Sequence, residues 1–348
     1  MIIRVLVPFN FSNTFLSERH KSLKNRLSNA IKFRIAVTNF VLNTDALFLP
    51  KEKKLISSFE YLFNLLNDEY SKKLLLKVLA YRILGPTKVN LPLNNQKLFD
   101  HIEKIEKAVA QESVSVSTSR GEELHLHELS FLGNQIKLYL NSAAIYSRFF
   151  IKGYNFKRNE IKVEKGNVVI DAGACYGDTA IYFACHTGKS GKVYSFEFVK
   201  QNIDIFNKNI QLNKKIAPII SLVKMPLWSN SNTEIFVEDE GPGSKAVLEK
   251  SQGVSKHKTI SIDDFVSKEE IDRVDFIKMD IEGAELHALK GATNVIKKFK
   301  PKLAICVYHK VLDCYEIPKF IESLNLGYTF YFDHYSTHNE ESVIFAKV

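Results

Sequence analysis

The hydrophobic positions of the chain follow two different periods, one in each half. Between Phe59 and Ile83 apolar residues recur at three- and four-residue steps, and the pattern ends at Gly85, which predicts two or three amphipathic helices. In the second half, short apolar runs alternate with amphipathic segments of helix length, as in strand-helix-strand units. The change predicts a mainly helical N-terminal region over residues 1–160 and an α/β domain over residues 161–348.

Seven apolar runs of the second half are predicted to form one sheet. Five are expected to be parallel strands, at Val168–Ala172, Val193–Glu197, Ile219–Val223, Phe276–Asp280 and Leu303–Tyr308, and two to be a terminal antiparallel hairpin, at Tyr328–Phe332 and Val343–Ala346. This is the strand inventory of the class I methyltransferase sheet, a Rossmann-like doubly wound fold. Flavodoxin-like and dehydrogenase sheets begin in the same way. Motifs must therefore separate these alternatives.

Composition places the chain among globular proteins, since 45% of its 348 residues are hydrophobic and 25% are charged. No apolar run approaches the roughly 20 residues of a transmembrane helix, and the opening apolar stretch is too short for a secretory signal. A cytoplasmic protein without a transmembrane segment is expected. The four cysteines form no C-x-x-C pair and are interpreted as reduced thiols, not as metal ligands.

The excess of basic residues lies in the N-terminal region. Residues 1–160 hold 24 Lys and Arg against 14 Asp and Glu, whereas residues 161–348 hold 24 against 25. Such a surplus could favour an anionic substrate, an acidic glycan, a membrane surface or nucleic acid. Because the lysines are scattered along helix-like stretches, we interpret this half as solvated helix faces of a substrate or dimerisation region. A homo-oligomer is possible, and no nucleic-acid partner is expected.

A glycine turn follows the first predicted strand, in the segment Asp171-Ala-Gly-Ala-Cys-Tyr-Gly-Asp-Thr179. Glycines on such a turn let a ligand approach the backbone closely. A carboxylate at the strand end would repel a pyrophosphate but suits a cationic ligand such as S-adenosylmethionine. The cofactor residues predicted here are Asp171, Gly173, Ala174, Gly177, Asp178 and Thr179.

Three further residues are predicted to contact the cofactor. Glu197 ends the second strand, where α/β nucleotide sites place a carboxylate on the ribose hydroxyls. Leu227 and Trp228 follow the third strand and could flank the adenine, although a single Trp is as often simple core.

Acidic residues also follow the fourth strand, and a histidine follows the fifth. Asp280 and Glu282 are expected at the carboxyl edge of the sheet, where open α/β sheets bind ligands, and His309 lies at the next strand end. These three residues are the candidates for catalysis, since a carboxylate there can take the proton of a substrate hydroxyl. A divalent cation held by the same group is the alternative.

Taken with these residues, the sequence resembles the FkbM-type family of S-adenosylmethionine-dependent methyltransferases. The resemblance covers about residues 165–348 and is carried by the phrase from Asp275 to Glu285, by Val169–Ala174, by Phe196-Glu197 and by Ser261–Phe265. The family commonly has Pro after the ribose acid, where this chain has Phe198. The resemblance implies O-methylation of a sugar, a surface polysaccharide or a small secondary metabolite, and therefore a carbohydrate or small-molecule hydroxyl acceptor.

Three rival functions remain. A nicotinamide-dependent oxidoreductase would need the G-x-G-x-x-G spacing, which fails here because Cys175 occupies its middle glycine position. A nucleic-acid or protein methyltransferase is the second rival. For nucleic acid, the acids from Asp280 onward would repel a phosphate-rich ligand. A non-catalytic interaction protein is the third, but a bare scaffold needs none of Asp171, Glu197 and Asp280.

Overall fold

The structure is a computed structural model that describes residues 50–109, 114–118, 121–237, 246–247 and 255–348. The first 49 residues of the predicted N-terminal region lie outside the described residues. By contacts the described residues divide into two compact units, one within residues 50–94 and 307–344, the other within residues 95–306 and 345–348. The boundary predicted between residues 160 and 161 stays a prediction.

The helices and strands follow one another as the change of sequence period predicts from about residue 168 onward. In chain order they are α1 (Pro50–Leu65), α2 (Glu69–Leu84), α3 (Gln96–Val109), β1 (Ser115–Ser117), β2 (Glu123–Phe131), β3 (Asn134–Leu140), α4 (Ser142–Ile145), β4 (Val168–Ala172), α5 (Asp178–Thr187), β5 (Lys192–Phe196), α6 (Lys200–Leu212), β6 (Ile220–Val223), β7 (Glu234–Val237), β8 (Ala246–Val247), β9 (Ser255–Lys258), α7 (Ile262–Lys268), β10 (Phe276–Met279), α8 (Glu285–Lys290), α9 (Thr293–Phe299), β11 (Lys302–Cys306), α10 (Asp313–Ser323), β12 (Thr329–His334) and β13 (Ser342–Lys347).

The central sheet has seven strands in the order β12-β13-β11-β10-β4-β5-β6 and ends in an antiparallel pair. Strands β11, β10, β4, β5 and β6 are parallel neighbours. The side chains of β4, β10 and β11 are almost completely buried, as expected for the centre of a parallel sheet with both faces covered, whereas those of the edge strand β6 are half-buried. The class I methyltransferase fold and its terminal hairpin are thus confirmed.

The unit of residues 95–306 also contains two small antiparallel sheets. Strands β1, β2 and β3 form the first, and β7 pairs with both β8 and β9 in the second. The first sheet was not predicted, because the sequence pattern indicates a mainly helical region over residues 1–160, in which only residues 113–119 are typical of a loop or a short strand. Its edge strand β3 is bonded to α6: Asn209 and Asn213 accept from the backbone amides of Tyr139 and Lys137 and donate to their carbonyls.

The other unit contains α1, α2, α10, β12 and the first residues of β13. Helix α2 begins at the N-cap Asp68, whose carboxylate accepts from the amide of Ser71 at 2.8 Å. The Ser71 hydroxyl in turn accepts from the amide of Phe332 on β12 at 2.9 Å. Among the described residues, no helix is both long enough and apolar enough to cross a membrane.

Candidate active site

A cavity opens at the carboxyl ends of the parallel strands, entirely within the unit of residues 95–306. The space between its walls is about 620 Å³, a volume that includes open solvent. Its walls come from the turns after β4, β5, β6 and β10, with one residue each from α6 and β7. They are Gly173, Cys175, Phe196, Glu197, Phe198, Val199, Asn202, Met225, Pro226, Leu227, Ile235, Asp280, Ile281, Glu282 and Ala284.

The glycine turn between β4 and α5 forms one wall, and its two glycines are required by packing. Gly173 has φ of 77°, and a Cβ atom added there would lie 1.8 Å from the carbonyl oxygen of Asp280. Gly177 has φ of 86°, and its added Cβ would lie 2.9 Å from the ring of Phe206. The turn therefore packs directly against the backbone that carries Asp280, which brings two of the sequence motifs together at one place.

Asp171 is fully buried below this turn and is committed to other side chains of the protein. Its carboxylate accepts hydrogen bonds from Thr179 at 2.8 Å and Ser195 at 3.2 Å, and lies 3.3 Å from the ammonium of Lys278. Its role in cofactor binding stays a prediction. The contacts indicate that it acts by supporting the turn.

Lys278 was not singled out from the sequence, although it stands two positions before Asp280 on β10. It is 1% exposed and donates to the carbonyls of Ala172 at 3.0 Å and Gly173 at 2.6 Å. Burial lowers the pKa of Lys278, but the carboxylates of Asp171 and Asp280 raise it by more, so that the net shift is upward. A charged ammonium is thus held beneath the glycine turn.

A chain of polar contacts connects the start of α5 with Asp280. Asp178 forms an ion pair with Arg148, with 2.8 Å between Oδ2 and Nε. The Arg148 guanidinium lies 4.7 Å from the ring centre of Tyr154, whose hydroxyl donates to Oδ2 of Asp280 at 2.8 Å. Arg148 lies on a π-helical turn, Tyr146–Ile151, of the kind often found at functional sites. Residues outside the predicted α/β domain therefore reach the site.

The backbone at the site is unusual at three residues that are not glycine. Cys175 has φ of 46°, Glu282 of 55° and Tyr154 of 65°, a left-handed region that side chains rarely adopt. Cys175 and Glu282 line the cavity, and Tyr154 bonds to Asp280. Such conformations cluster where the surrounding structure fixes a side chain for a function.

Glu197 stands at the end of β5, as predicted, and lines the cavity. Its Oε1 accepts from the backbone amides of Phe198 at 2.7 Å and Val199 at 2.8 Å, and its Oε2 accepts from Asn202 at 3.2 Å. Burial raises the pKa of Glu197, and these donors oppose the shift without cancelling it. The carboxylate is consequently rigid and poorly solvated.

The two residues predicted to flank the adenine lie in different surroundings. Leu227 lines the cavity. Trp228 is 8% exposed, and its ring stacks on His287 with 4.0 Å between ring centres and 7° between planes. Among the described residues, Trp228 is not part of the cavity wall, and its contact with the cofactor stays a prediction.

The predicted site residues thus fall into three groups. Gly173, Glu197, Leu227, Asp280 and Glu282 line the cavity, whereas Asp171, Ala174, Gly177, Asp178, Thr179 and Trp228 are absent from its described wall. His309 belongs to the other compact unit, and its catalytic role stays a prediction. Met225, Pro226 and Ile281 were missed, although their positions near strand ends could have indicated them, and Asn202 on α6 was also missed.

Comparison with known proteins gives two kinds of match. Residues 171–330 match the sequence model described as the methyltransferase FkbM domain. The crystal structure of methyltransferase FkbM from Methylobacillus flagellatus KT superimposes with a TM-score of 0.53 at 20% identity, covering 84% of this chain and 59% of that one. At this identity the likeness shows a shared fold.

A curated relative is similar in sequence over a shorter stretch. The hexuronic acid methyltransferase AglP of Haloferax volcanii is 25% identical over 166 residues, which are 48% of this chain and 66% of that protein. The chain therefore spans less than two thirds of the length of either relative.

Sheet order, the position of the cavity and the match in sequence lead to the same assignment. The class I sheet carries its cavity at the carboxyl ends of β4, β5, β6 and β10. Residues 171–330, which contain these strands apart from the start of β4, are a methyltransferase domain of the FkbM family, whose cofactor is S-adenosylmethionine.

Proposed function

We propose that the protein transfers a methyl group from S-adenosylmethionine to a hydroxyl oxygen of an acidic sugar, and that Asp280 takes the proton of that hydroxyl. The position of Asp280 carries the proposal. It lines the same cavity as Gly173 and Glu197, and the hydroxyl of Tyr154 donates to its Oδ2 at 2.8 Å. A carboxylate oriented in this way beside a cofactor cavity is suited to general-base catalysis.

The residues of the cavity fit the cofactor. Bound S-adenosylmethionine supplies an electrophilic methyl group on a positively charged sulfur. Glu197 offers a carboxylate to hydroxyl donors at the end of β5, and Gly173 lines the same cavity without a side chain. Asp171 and Lys278 hold the turn that contains Gly173. These residues would bind and orient the cofactor, so that an acceptor oxygen approaches the methyl group in line with the bond between carbon and sulfur.

Asp280 would act as the base with its geometry set in advance. A carboxylate has about four lone-pair sites, so the bond from Tyr154 orients the group and leaves capacity for a substrate hydroxyl. Glu282 lies two positions further along the same wall and is proposed to bind neighbouring hydroxyls of the acceptor.

Two observations support an acidic sugar as the acceptor. The curated relative AglP is named a hexuronic acid methyltransferase. The first 160 residues of this chain carry ten more basic than acidic side chains, which favours an anionic partner. A hexuronic acid has both the hydroxyl groups that the mechanism needs and a negative charge.

The test is methyl transfer by the purified full chain. The protein is incubated with S-adenosylmethionine labelled in its methyl group and with three acceptors: a hexuronic acid oligosaccharide, the matching neutral oligosaccharide, and RNA. We expect label on a hydroxyl oxygen of the acidic sugar, located by mass spectrometry. Asp280→Asn should reduce turnover by roughly 10²- to 10⁴-fold, and the exposed Asp272→Asn on the preceding loop should leave it unchanged.

Three outcomes would contradict the proposal. Label on the sugar carboxylate, with Asp280→Asn as active as wild type, would show an acceptor that has no proton to lose and needs no base. Label on RNA alone would assign the domain to nucleic acid. Loss of activity with a chelator, and its return with magnesium, would show that these residues form a metal site and that Asp280 is not the base.

A further inference from the structure

Asn202 carries a buried hydrogen-bond acceptor that no group among the described residues satisfies. The residue lies on α6, lines the cavity and is 2% exposed. Its Nδ2 donates to Oε2 of Glu197 at 3.2 Å, whereas its Oδ1 has no hydrogen-bond partner in the part of the chain that the structure describes. Buried polar atoms without a partner are rare in proteins, because each loses its hydration without compensation. A donor from outside the protein is the simplest explanation.

The orientation of the Asn202 amide follows from its neighbour. Oε1 of Glu197 accepts hydrogen bonds from two backbone amides. Because Oε2 is also an acceptor, the neighbouring amide must present a donor to it and not its own oxygen. The amide therefore turns Nδ2 to Glu197, and Oδ1 lies on the opposite edge of the group. Turning the amide over would place two acceptor oxygens against each other.

Glu197 and Asn202 together suit a ligand with two neighbouring hydrogen-bond donors. Both are acceptors at this wall of the cavity, and the bond between them holds them at a fixed separation. The vicinal 2′- and 3′-hydroxyls of a ribose are two adjacent O–H donors. Neither the adenine amine nor the cofactor's ammonium has this arrangement on two adjacent atoms.

We propose that Asn202 Oδ1 accepts a hydrogen bond from one ribose hydroxyl of the cofactor while Glu197 accepts from the other, an inference that rests on the proposed function. Asn202 is then a binding residue in its own right and also holds the Glu197 carboxylate in place. A ligand without one of the two hydroxyls leaves one acceptor buried without a partner.

The test measures binding by calorimetry, with no turnover. The ligands are S-adenosylhomocysteine and its 2′-deoxy and 3′-deoxy analogues; the proteins are wild type, Asn202→Ala and the control Asn207→Ala on the same helix. Wild type should bind each deoxy analogue roughly 5- to 100-fold more weakly than the parent ligand. In Asn202→Ala one of these two penalties should fall below about 3-fold, while the other persists. Asn207→Ala should keep both.

Wild-type protein alone can overturn the inference, because equal affinity for all three ligands would mean that no ribose hydroxyl is bound. Unchanged penalties in Asn202→Ala, with a melting temperature close to that of wild type, would also overturn it. These results differ from a failure of the proposed function. In that case the wild-type chain would not bind S-adenosylhomocysteine at all.

Discussion

The buried pair of Lys278 and Asp171 leads to a prediction about both stability and the cofactor turn. Lys278→Met removes the ammonium and keeps a similar volume. The Asp171 carboxylate, 0% exposed, then loses its counter-ion at 3.3 Å. The carbonyls of Ala172 and Gly173 lose their donor at the same time. We expect a destabilised domain with a displaced glycine turn.

The magnitude follows from the distance between the charges. Two unit charges at this separation interact by about 5 kcal/mol at the effective dielectric constant of 20 that suits protein sites. Breaking a buried pair by removing one partner costs about 3–5 kcal/mol, because the remaining charge stays buried. Lys278→Met should therefore lower the free energy of unfolding by about 3–5 kcal/mol. Adding Asp171→Asn should restore part of that loss.

The assay is equilibrium denaturation followed by tryptophan fluorescence. Trp228 is the only tryptophan of the chain and is buried in the same unit as the pair. The two single variants and the double variant form a cycle that isolates the interaction energy. The exposed Lys290→Met on α8 is the control and should change the unfolding energy by less than about 0.5 kcal/mol.

Two results would refute this reasoning. A Lys278→Met protein as stable as the Lys290→Met control would show that the pair contributes little. Additive effects of Asp171→Asn and Lys278→Met would show that the two groups do not interact.

Three further predictions concern single residues. Gly173→Ala should lower the free energy of unfolding by more than about 2 kcal/mol and remove most of the S-adenosylhomocysteine affinity, because the new Cβ meets the carbonyl of Asp280. The control Gly188→Ala, with φ of 62° and open space around it, should cost only the roughly 1–2 kcal/mol of a left-handed backbone. Burial is the main reason that the pKa of His334 falls to about 4. The free energy of unfolding should therefore decrease as pH falls from 6.5 to 4, by about 2 kcal/mol at pH 5. Denaturation followed by circular dichroism should show this loss in wild type and not in His334→Gln. Tyr154→Phe should lower turnover about tenfold and leave S-adenosylhomocysteine affinity unchanged, because it removes the hydroxyl that orients Asp280 and that also lies 3.7 Å from Sγ of Cys306. Kinetics and calorimetry on one preparation measure both.

Each of these predictions has a clear contrary result. Equal losses in Gly173→Ala and Gly188→Ala would mean that the contact with Asp280 costs nothing beyond backbone strain. The same acid sensitivity in His334→Gln and wild type would exclude His334 as its source. A loss of affinity in Tyr154→Phe as large as its loss of turnover would give Tyr154 a role in binding.

The sequence alone determined the parallel strands and the two turns that face the cavity. Strand β4 lies at the predicted residues, and the other predicted strands are within two residues of their observed ends. This part is local, since an apolar run of five residues bounded by glycine or charge encodes a buried strand. Because parallel strands end at one edge, the acids Glu197 and Asp280 could also be assigned to a common cavity.

Only the tertiary structure decided which side chains meet. Asp171 pairs with Lys278, 107 positions away in the sequence, and Asp280 bonds to Tyr154, 126 positions away. Trp228 stacks on His287 although its place after β6 suggested the adenine site. The physical reason is that periodicity records whether a face is buried, whereas the partner of a buried charge or ring depends on the packing of distant elements. The support of the glycine turn and of the proposed base was therefore visible only in the folded chain.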